Sequence, residues 1–199
     1  MYTPENQYRC TIIRGKSQTE MEDLLPVYAN IVHKYCPCTE ETCRISALSD
    51  LPEHTVDDGG AYPFPPLSQY QQLMRSKSNC LYNHQTTTHN QKTIDIISLV
   101  PDGGNYKDLP VELQSTRKVH IAWTRLCSTK PSFTIDTGHR HHFHYSFNRI
   151  PTARESARIQ SFPDEFFFTC SKTSQLKQVG NAVPPLLAKA IAKALKHQL

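Results

Sequence analysis

The chain has 199 residues, which suits a single domain or a core domain with one insertion. The content of 38% hydrophobic and 20% charged residues is typical of a soluble globular protein. The net charge of +4 is compatible with a polyanionic partner but does not require one. No segment resembles a membrane span or a secretory leader, so an intracellular location is expected, in a prokaryotic cytoplasm or a eukaryotic nucleus.

The seven cysteines are odd in number and irregularly spaced, which favours reduced thiols inside a cell. Their tightest group is CPCTEETC, residues 36–43, which supplies only half of the double spacing of a four-ligand zinc site. Buried thiols are the preferred interpretation and zinc is the alternative, so no metal site is predicted.

The first third of the chain predicts one strand followed by a long irregular segment. Residues 9–15, RCTIIRG, form a β-branched run ending in glycine, which is typical of a buried strand. Residues 17–35 begin like a capped helix, but Pro26 interrupts the pattern, so helix and irregular structure both stay open. Residues 36–68 are rich in proline and turn formers and predict a surface excursion.

The middle of the chain predicts short elements. Residues 67–77 carry apolar side chains at helical spacing, and residues 93–100 form a second short element closed by PDGG. Residues 118–126, KVHIAWTRL, alternate in polarity and predict a strand, and residues 131–138, PSFTIDTG, predict its neighbour.

Residues 139–145, HRHHFHY, are dense in histidine. A metal site, a pH-sensitive patch and a nucleic-acid-facing loop are all compatible with that composition. Adjacent side chains alternate in direction, so few of these histidines can converge on one ion, and a solvated loop is the preferred interpretation.

Residues 149–166, RIPTARESARIQSFPDEF, predict a capped helix. Thr152 and Glu155 stand in the Ser/Thr-x-x-Glu relation of a capping box, with Thr152 as the N-cap. Arg154 and Arg158 lie four residues apart on one face, and the helix is expected to stop at Phe162-Pro163-Asp164.

Residues 178–199 predict a turn and then a terminal amphipathic helix. Gly180-Asn181 permits the turn, and Pro184-Pro185 suit the start of the helix. The expected apolar stripe has lysines beside it and comprises Leu187, Ala190, Ile191, Ala194 and Leu195.

Together, these two closing segments resemble the last two conserved motifs of the DNA (cytosine-5)-methyltransferases. The family pattern R-x-L-T-x-R-E-x-A-R-x-Q-x-F-P-D-x-F is matched from Arg149 to Phe166, with Pro151 in place of its leucine. The final pattern Q-x-G-N-A-V-P is matched in full from Gln178 to Pro184.

The resemblance continues upstream of these motifs. TRLCSTKPSFTIDTG, residues 124–138, is similar to the family's T-R-L-x-W-D-K-P-S-P-T-I-x-T-G, with departures at Ser128, Thr129 and Phe133. VPDGGNYKDLP, residues 100–110, resembles P-x-G-G-N-W-R-D-L-P.

The first residues, TPENQYRCTII, are similar to the family's Q-x-R-x-R segment. Only Arg9 keeps the family residue, since Glu5 replaces the glutamine and Gln7 the first arginine. Both changes weaken the electrostatic attraction to DNA. The resemblance thus covers nearly the whole chain, but only the C-terminal half of the family's pattern. The cofactor-binding glycine turn, the Pro-Cys-Gln nucleophile loop and the Glu-Asn-Val motif are not found in the sequence.

The resemblance implies the C-terminal part of an α/β, Rossmann-like methyltransferase fold that uses S-adenosyl-L-methionine and carries a loop-rich target-recognition region. The implied divisions are residues 1–45 for the end of the catalytic core, 46–148 for target recognition and 149–199 for the closing motifs and terminal helix.

The resemblance also implies a reaction and its residues. Cytosine is flipped out of double-stranded DNA, a thiolate attacks C6, and C5 takes the methyl group. Of the reacting groups the chain offers only Arg9, as a cation near the base or phosphate. The cofactor-bordering residues would be Asn181, Ala182 and Val183, and the DNA contacts would be Arg125, Arg149 and Arg154. For Arg149 and Arg154 a structural role is an open alternative.

Three functional interpretations follow. The chain is a subunit that needs a complementary polypeptide with the cofactor and cysteine motifs, an inactive truncated or decayed copy, or a non-catalytic DNA-binding module. The first is preferred. We expect the isolated chain to be inactive and to expose apolar surface on its first strand and terminal helix.

Overall fold

The computed structural model describes residues 45–114, 123–130, 132, 135 and 142–196. The elements are mostly short. In chain order they are α1 (Ile45–Leu48), β1 (Gly60–Ala61), α2 (Gln69–Arg75), β2 (Cys80–Leu81), α3 (Gln91–Ser98), a 3-10 helix (Tyr106–Asp108), α4 (Val111–Gln114), β3 (Thr124–Arg125), β4 (His142–Phe143), α5 (Ala153–Ile159), α6 (Lys172–Asn181) and α7 (Pro185–Lys196).

The strands of the described residues form two small pairs. β1 runs antiparallel to β2, with Gly60 opposite Leu81. β3 runs parallel to β4, with Arg125 opposite Phe143. The predicted strand over 118–126 is therefore observed at its described end, but its observed neighbour lies in the histidine-rich segment. Ser132 and Ile135, the described residues of 131–138, are not in a strand.

Three apolar clusters hold these elements together. One joins α1 to β2 through Leu48, Leu51 and Leu81. A second lies under α5 and α6 and contains Ile135, Ala157, Phe162, Phe168 and Val179. The third packs α3 against the β3–β4 pair through Ile96, Ile97, Val100, Leu109, Trp123, Phe143 and Ile150.

Helix α5 begins where the sequence predicts. The Thr152 hydroxyl accepts the N–H of Glu155 at 3.1 Å, and the Glu155 carboxylate accepts the N–H of Thr152 at 2.7 Å. This reciprocal pair is the predicted capping box.

Helix α5 ends earlier than the predicted stop at Phe162-Pro163-Asp164. Ser161 adopts a left-handed conformation with φ of 62°, the N–H of Ser161 donates to Arg158 O, and that of Phe162 donates to Ala157 O. This is a Schellman ending, in which a serine occupies the position that usually holds glycine. The chain then folds back before Pro163 is reached.

The closing helices agree only in part with the predictions. α7 begins at Pro185, as Pro184-Pro185 indicate. The turn predicted at Gly180-Asn181 is wrong, because both residues belong to α6 and the chain leaves the helix at Ala182, whose φ is −83° and ψ 149°. Helix 67–77 is confirmed as α2, whereas 93–100 overlaps α3, which begins at Gln91.

Two other expectations concern the surface and the membrane. Within the described part of 36–68 the chain contains α1, turns and bends, and β1. The surface location predicted for this stretch is wrong for Ala47, Leu48, Asp50 and Leu51, which are buried. No helix among the described residues is long and apolar enough to cross a membrane. The predicted elements over 9–15 and 17–35 lie outside the described residues.

Candidate functional site

Helix α5 places an unusual amount of charge in the interior. Arg154, Glu155 and Arg158 are all fully buried, and so are Asp50 and Asp164, which lie on other segments. We call these five residues, together with the nearly buried Arg149, the buried charged cluster. Unpaired charges would be very costly at such positions, so the geometry of the pairs decides whether the helix is stable.

Arg149 and Glu155 form a two-fold contact. Nη1 and Nη2 of Arg149 each donate to one oxygen of Glu155 at 2.8 Å. Burial alone would raise the pKa of Glu155, but the hydrogen bonds from Arg149 prevail and lower this pKa to about 2. Glu155 therefore serves both the helix cap and an ion pair, in its ionised form.

Arg158 bridges two carboxylates, one from a distant segment and one from the segment that follows α5. Its Nε and Nη2 donate to Asp164 at 2.6 Å, and its Nη1 donates to Asp50 at 2.9 Å and to the carbonyl of Ala47 at 2.9 Å. Burial lowers the pKa of Arg158, but its contacts with Asp164 and Asp50 raise it more strongly. This guanidinium fastens α5 to the turn after α1 and to the segment after α5.

The three arginines predicted to contact DNA have internal partners instead. Arg154 is fully buried and donates to the carbonyls of Tyr82 and Phe166 at 3.0 and 2.6 Å. Arg149 is 7% exposed, with Glu155 as its ion-pair partner. The structure favours the structural role that was left open for both.

Arg125 is the third of these arginines, is 5% exposed and lies beside the third apolar cluster. Its guanidinium donates to the carbonyls of Val100 at 2.8 Å, Ile97 at 2.6 Å and His144 at 3.0 Å. Arg125 thus joins α3, β3 and the segment after β4. The predicted DNA contact has no support in this geometry, because the side chain is used to satisfy buried carbonyl groups.

Two histidines beside the cluster, His84 and His144, are buried, which the sequence did not indicate. His84 donates from Nε2 to the carbonyl of Pro52 at 2.8 Å, and its Nδ1 lies 3.2 Å from the Thr152 hydroxyl. Burial lowers the pKa of His84. Because the Thr152 hydroxyl already accepts the N–H of Glu155, its own hydrogen is available to Nδ1 of His84.

His144 belongs to the histidine-rich segment but is not solvated. Its Nδ1 accepts the N–H groups of Ser146 and Phe147, both at 3.1 Å, so the neutral ring carries its proton on Nε2. That Nε2 lies 3.8 Å from Glu155 and makes no hydrogen bond within the described part of the chain. Burial lowers the pKa of His144 to about 4, against the opposing effect of Glu155.

The residues predicted to border the cofactor lie together at the junction of α6 and α7. Asn181 is exposed at the end of α6, Ala182 is half-buried, and Val183 is 60% exposed. Gln160 holds this junction against α5 by donating to the carbonyl of Val179 at 2.8 Å. The junction therefore presents one amide and one apolar side chain at the surface. Arg9 lies outside the described residues.

A cavity of about 520 Å³ opens between the loop before α3 and the start of α6. We call it the threonine cavity, and its described lining consists of Thr86, Thr87, Thr88, His89, Thr93, Phe143, Ile150, Lys172, Thr173 and Leu176. Lys172, the first residue of α6, donates to the hydroxyl of Thr87. Within the described part of the chain, no group of three or more histidine, cysteine or acidic side chains is arranged to hold a metal ion.

The closing motifs and the fold around them agree with comparisons to known proteins. A model of the C-5 cytosine-specific DNA methylases matches residues 3–197, so the chain belongs to that family. Members of the family use S-adenosyl-L-methionine as the methyl donor.

Among similar proteins is the type II methyltransferase M.DdeI of Desulfomicrobium norvegicum, which is 34% identical over 96% of this chain and 51% of its own length. M1.HphI of Haemophilus parahaemolyticus is 37% identical over 69% of this chain and 40% of its own length. The chain thus spans about half, or less, of these two relatives.

M.AquIB of Picosynechococcus, also called a type II methyltransferase, differs from these two relatives because the match covers almost all of its own length. It is 36% identical over 63% of this chain, and the matched region makes up 95% of its own length.

A solved prophage-encoded protein of Escherichia coli, described provisionally as a DNA modification methyltransferase, matches 80% of this chain and 46% of its own length with a TM-score of 0.58 and 21% identity. The predicted α/β methyltransferase fold is confirmed by this likeness together with the family match.

Proposed function

We propose that this chain is the target-recognition and closing part of a DNA cytosine-5 methyltransferase, which transfers methyl from S-adenosyl-L-methionine to C5 of cytosine in double-stranded DNA. A complementary polypeptide would supply the cofactor turn and the cysteine nucleophile. The 199 residues contain neither Pro-Cys-Gln nor Glu-Asn-Val, although the last two family motifs are present. In this proposal the chain supplies one part of the reacting site and the complementary polypeptide supplies the other.

The observation that carries this proposal is the extent of M.AquIB. That relative bears the name methyltransferase, yet 95% of it consists of the region matched here. A polypeptide of this extent is therefore known under that name, which supports a subunit in preference to a fragment without a role.

The residues are proposed to divide the work by segment. Residues 1–45 would end the catalytic core and bring Arg9 to the flipped base or its phosphate, 46–148 would read the DNA, and 149–199 would close the catalytic domain. At the α6–α7 junction, the exposed amide of Asn181 can donate or accept a hydrogen bond. With Ala182, the exposed Val183 offers an apolar contact. These groups fit the polar and apolar parts of S-adenosyl-L-methionine, which supplies the methyl group when bound.

The interpretation as a decayed copy is disfavoured by the buried charged cluster. Arg149, Arg154 and Arg158 all have complementary partners in the interior. A chain accumulating random substitutions would lose one member of such a pair, and the remaining buried charge would cost several kcal/mol, on the order of 3–5. Cofactor binding by the complex distinguishes our proposal, which expects it, from the interpretation as a non-catalytic DNA-binding module, which does not.

Calorimetric titration with S-adenosyl-L-methionine tests the proposal. We expect no binding to the isolated chain and binding to its complex with a polypeptide that carries the family's N-terminal motifs. Asn181→Ala in the complex should weaken that binding, whereas the exposed Lys177→Ala on the same helix should not. A complex that binds DNA and ignores the cofactor would support the DNA-binding module.

A further inference from the structure

The threonine cavity lies at the boundary between two parts of the molecule. Thr86, Thr87 and Thr88 come from the loop before α3, whereas Lys172 and Thr173 open α6. Ile150, which precedes the cap of α5, contributes to the wall. The cavity thus joins the proposed recognition region to the proposed closing segment, where a bound polymer would contact both.

The lining is suited to an oxyanion. It contains five threonines, whose hydroxyl groups can donate to oxygen, and its ammonium group comes from Lys172. Among its described lining residues there is no aspartate or glutamate. Lys172 already donates to Thr87, so the ammonium is held beside the threonine row and does not extend into solvent.

The start of α6 adds to this preference. Lys172 and Thr173 are the first two residues of a ten-residue helix capped by Ser171. Among the residues that the structure describes, no acceptor is found for the backbone N–H groups of Lys172 and Thr173. The N-terminus of a helix favours negative charge because such N–H groups and the helix dipole point toward it.

The charge of the surroundings indicates a single negative charge on the ligand. Behind the cavity, Arg149 and Glu155 neutralise each other through their two-fold contact. Lys172 is then the one cation left to balance a ligand among the described lining residues. A phosphodiester carries one negative charge, whereas free phosphate and terminal phosphate groups carry more near neutral pH. The volume of about 520 Å³ also exceeds what one phosphate group fills and leaves room for adjoining sugars.

We propose that the threonine cavity binds one phosphodiester group of the DNA backbone, with Lys172 as the counter-charge and the threonine hydroxyls as hydrogen-bond donors. This rests on the proposed action on DNA and adds a contact that fixes the duplex across the two parts of the chain. Such a contact positions the DNA and carries no sequence information of its own.

The test measures anisotropy of a fluorescent duplex titrated with the 199-residue chain at several salt concentrations. Each phosphate neutralised by a lysine contributes about 0.9 to the slope of log affinity against log salt. We expect Lys172→Gln to weaken binding and to lower this slope by about 0.9. Thr87→Val should weaken binding without changing the slope, since it removes a neutral donor.

Lys177→Gln is the matched control, because Lys177 is exposed on the same helix and does not line the cavity. If Lys172→Gln and Lys177→Gln change affinity and slope equally while the unaltered chain binds DNA, the phosphodiester site is overturned and the proposed function stands. If the unaltered chain binds no duplex at all, the site and direct DNA binding by this chain both fall.

A second arm separates the two sources of phosphate. Inorganic phosphate is titrated by calorimetry into the unaltered chain and the Lys172→Gln variant. Binding of duplex that depends on Lys172, with no comparable binding of inorganic phosphate, supports a backbone site. Binding of inorganic phosphate that depends on Lys172, with duplex affinity independent of it, would show a free-anion site and contradict the proposal.

Discussion

Helix α5 reverses the usual relation between polarity and burial, whereas helix α7 keeps it. α5, ARESARI, is rich in charge, yet Ala153 to Arg158 are all buried. α7, PLLAKAIAKALK, is amphipathic: Leu187 and Ala190 are buried, Pro185, Leu186 and Ile191 are half-buried, and its three lysines are exposed. Pairing within the chain is what permits the burial of α5. The expected exposure of the α7 stripe is not borne out where the structure describes it, because Leu187 and Ala190 are covered within this chain. Only the half-buried Ile191 leaves apolar area that the proposed complementary polypeptide could cover.

The largest effect should come from breaking the pairs of α5. Arg158→Met leaves Asp50 and Asp164 buried beside an apolar side chain, so we expect the free energy of unfolding to fall by about 3–5 kcal/mol. Lys177→Met, at an exposed position of α6, should change it by less than about 0.5 kcal/mol. Urea unfolding of both variants measures the difference. A loss below about 1 kcal/mol for Arg158→Met would show that the cluster contributes little to stability.

Lowering the pH should destabilise the buried charged cluster and the adjacent His144 in two stages. The pKa of His144 is lowered to about 4 from its ordinary 6.5, so its contribution to stability is complete above pH 6.5 and is lost as the pH falls toward 4. The pKa of Glu155 is lowered to about 2 from 4.5, so its contribution is lost between pH 4.5 and 2. Protonating Nδ1 of His144 would also displace the N–H groups of Ser146 and Phe147.

The variant His144→Asn keeps a side-chain acceptor but cannot titrate. We expect the unaltered chain to lose on the order of 2 kcal/mol of stability between pH 6.5 and 4, and His144→Asn to lose less. His84 retains part of the dependence, because its pKa is lowered as well. Urea unfolding at intervals of one pH unit gives the slope of the free energy of unfolding against pH for the unaltered chain and for His144→Asn. Equal slopes in this interval would exclude His144 as a source.

The stripe of α7 gives a smaller effect in the chain alone. Since Ile191 is half-buried, Ile191→Ala should cost the isolated chain about 1 kcal/mol. When the complementary polypeptide covers the stripe, the free-energy cost of Ile191→Ala should rise to about 2–5 kcal/mol. The comparison uses urea unfolding of the chain and co-purification of the complex, with the exposed Lys193→Ala as control. Normal assembly of Ile191→Ala would remove α7 from the proposed interface.

The smallest effect on stability should come from Asn181. Asn181→Ala removes an exposed amide at the end of α6, so we expect a change in the free energy of unfolding within about 0.5 kcal/mol. Thermal unfolding checks this expectation. A loss above about 1.5 kcal/mol would show that Asn181 stabilises the junction of α6 and α7, and any loss of cofactor binding would then have a structural cause.

What the sequence could predict was local. The start of α5 follows from Thr152 and Glu155, three residues apart, and the start of α7 follows from Pro185. The partners of Arg158 could not be read in this way, because Asp50 is 108 residues away and no periodicity relates the two. The resemblance identified the family, but did not reveal that Arg125 satisfies buried carbonyl groups.

The errors have the same physical origin. Gly180 and Asn181 favour a turn in isolation, yet packing of Val179 and the hydrogen bond from Gln160 keep α6 helical through both residues. The histidine-rich segment looks solvated by composition, but His142 pairs with Thr124 in a parallel register and His144 is fully covered. In each case, contacts between distant segments override the local preference.

The central claim is tested most directly by methyl transfer from labelled S-adenosyl-L-methionine to duplex DNA. The assay compares the 199-residue chain alone, a polypeptide carrying the family's N-terminal motifs alone, and the two combined. We predict transfer to C5 of cytosine only from the combination. Transfer by the 199-residue chain alone would contradict the requirement for a second polypeptide, and no transfer from a stable, cofactor-binding complex would contradict the proposed activity.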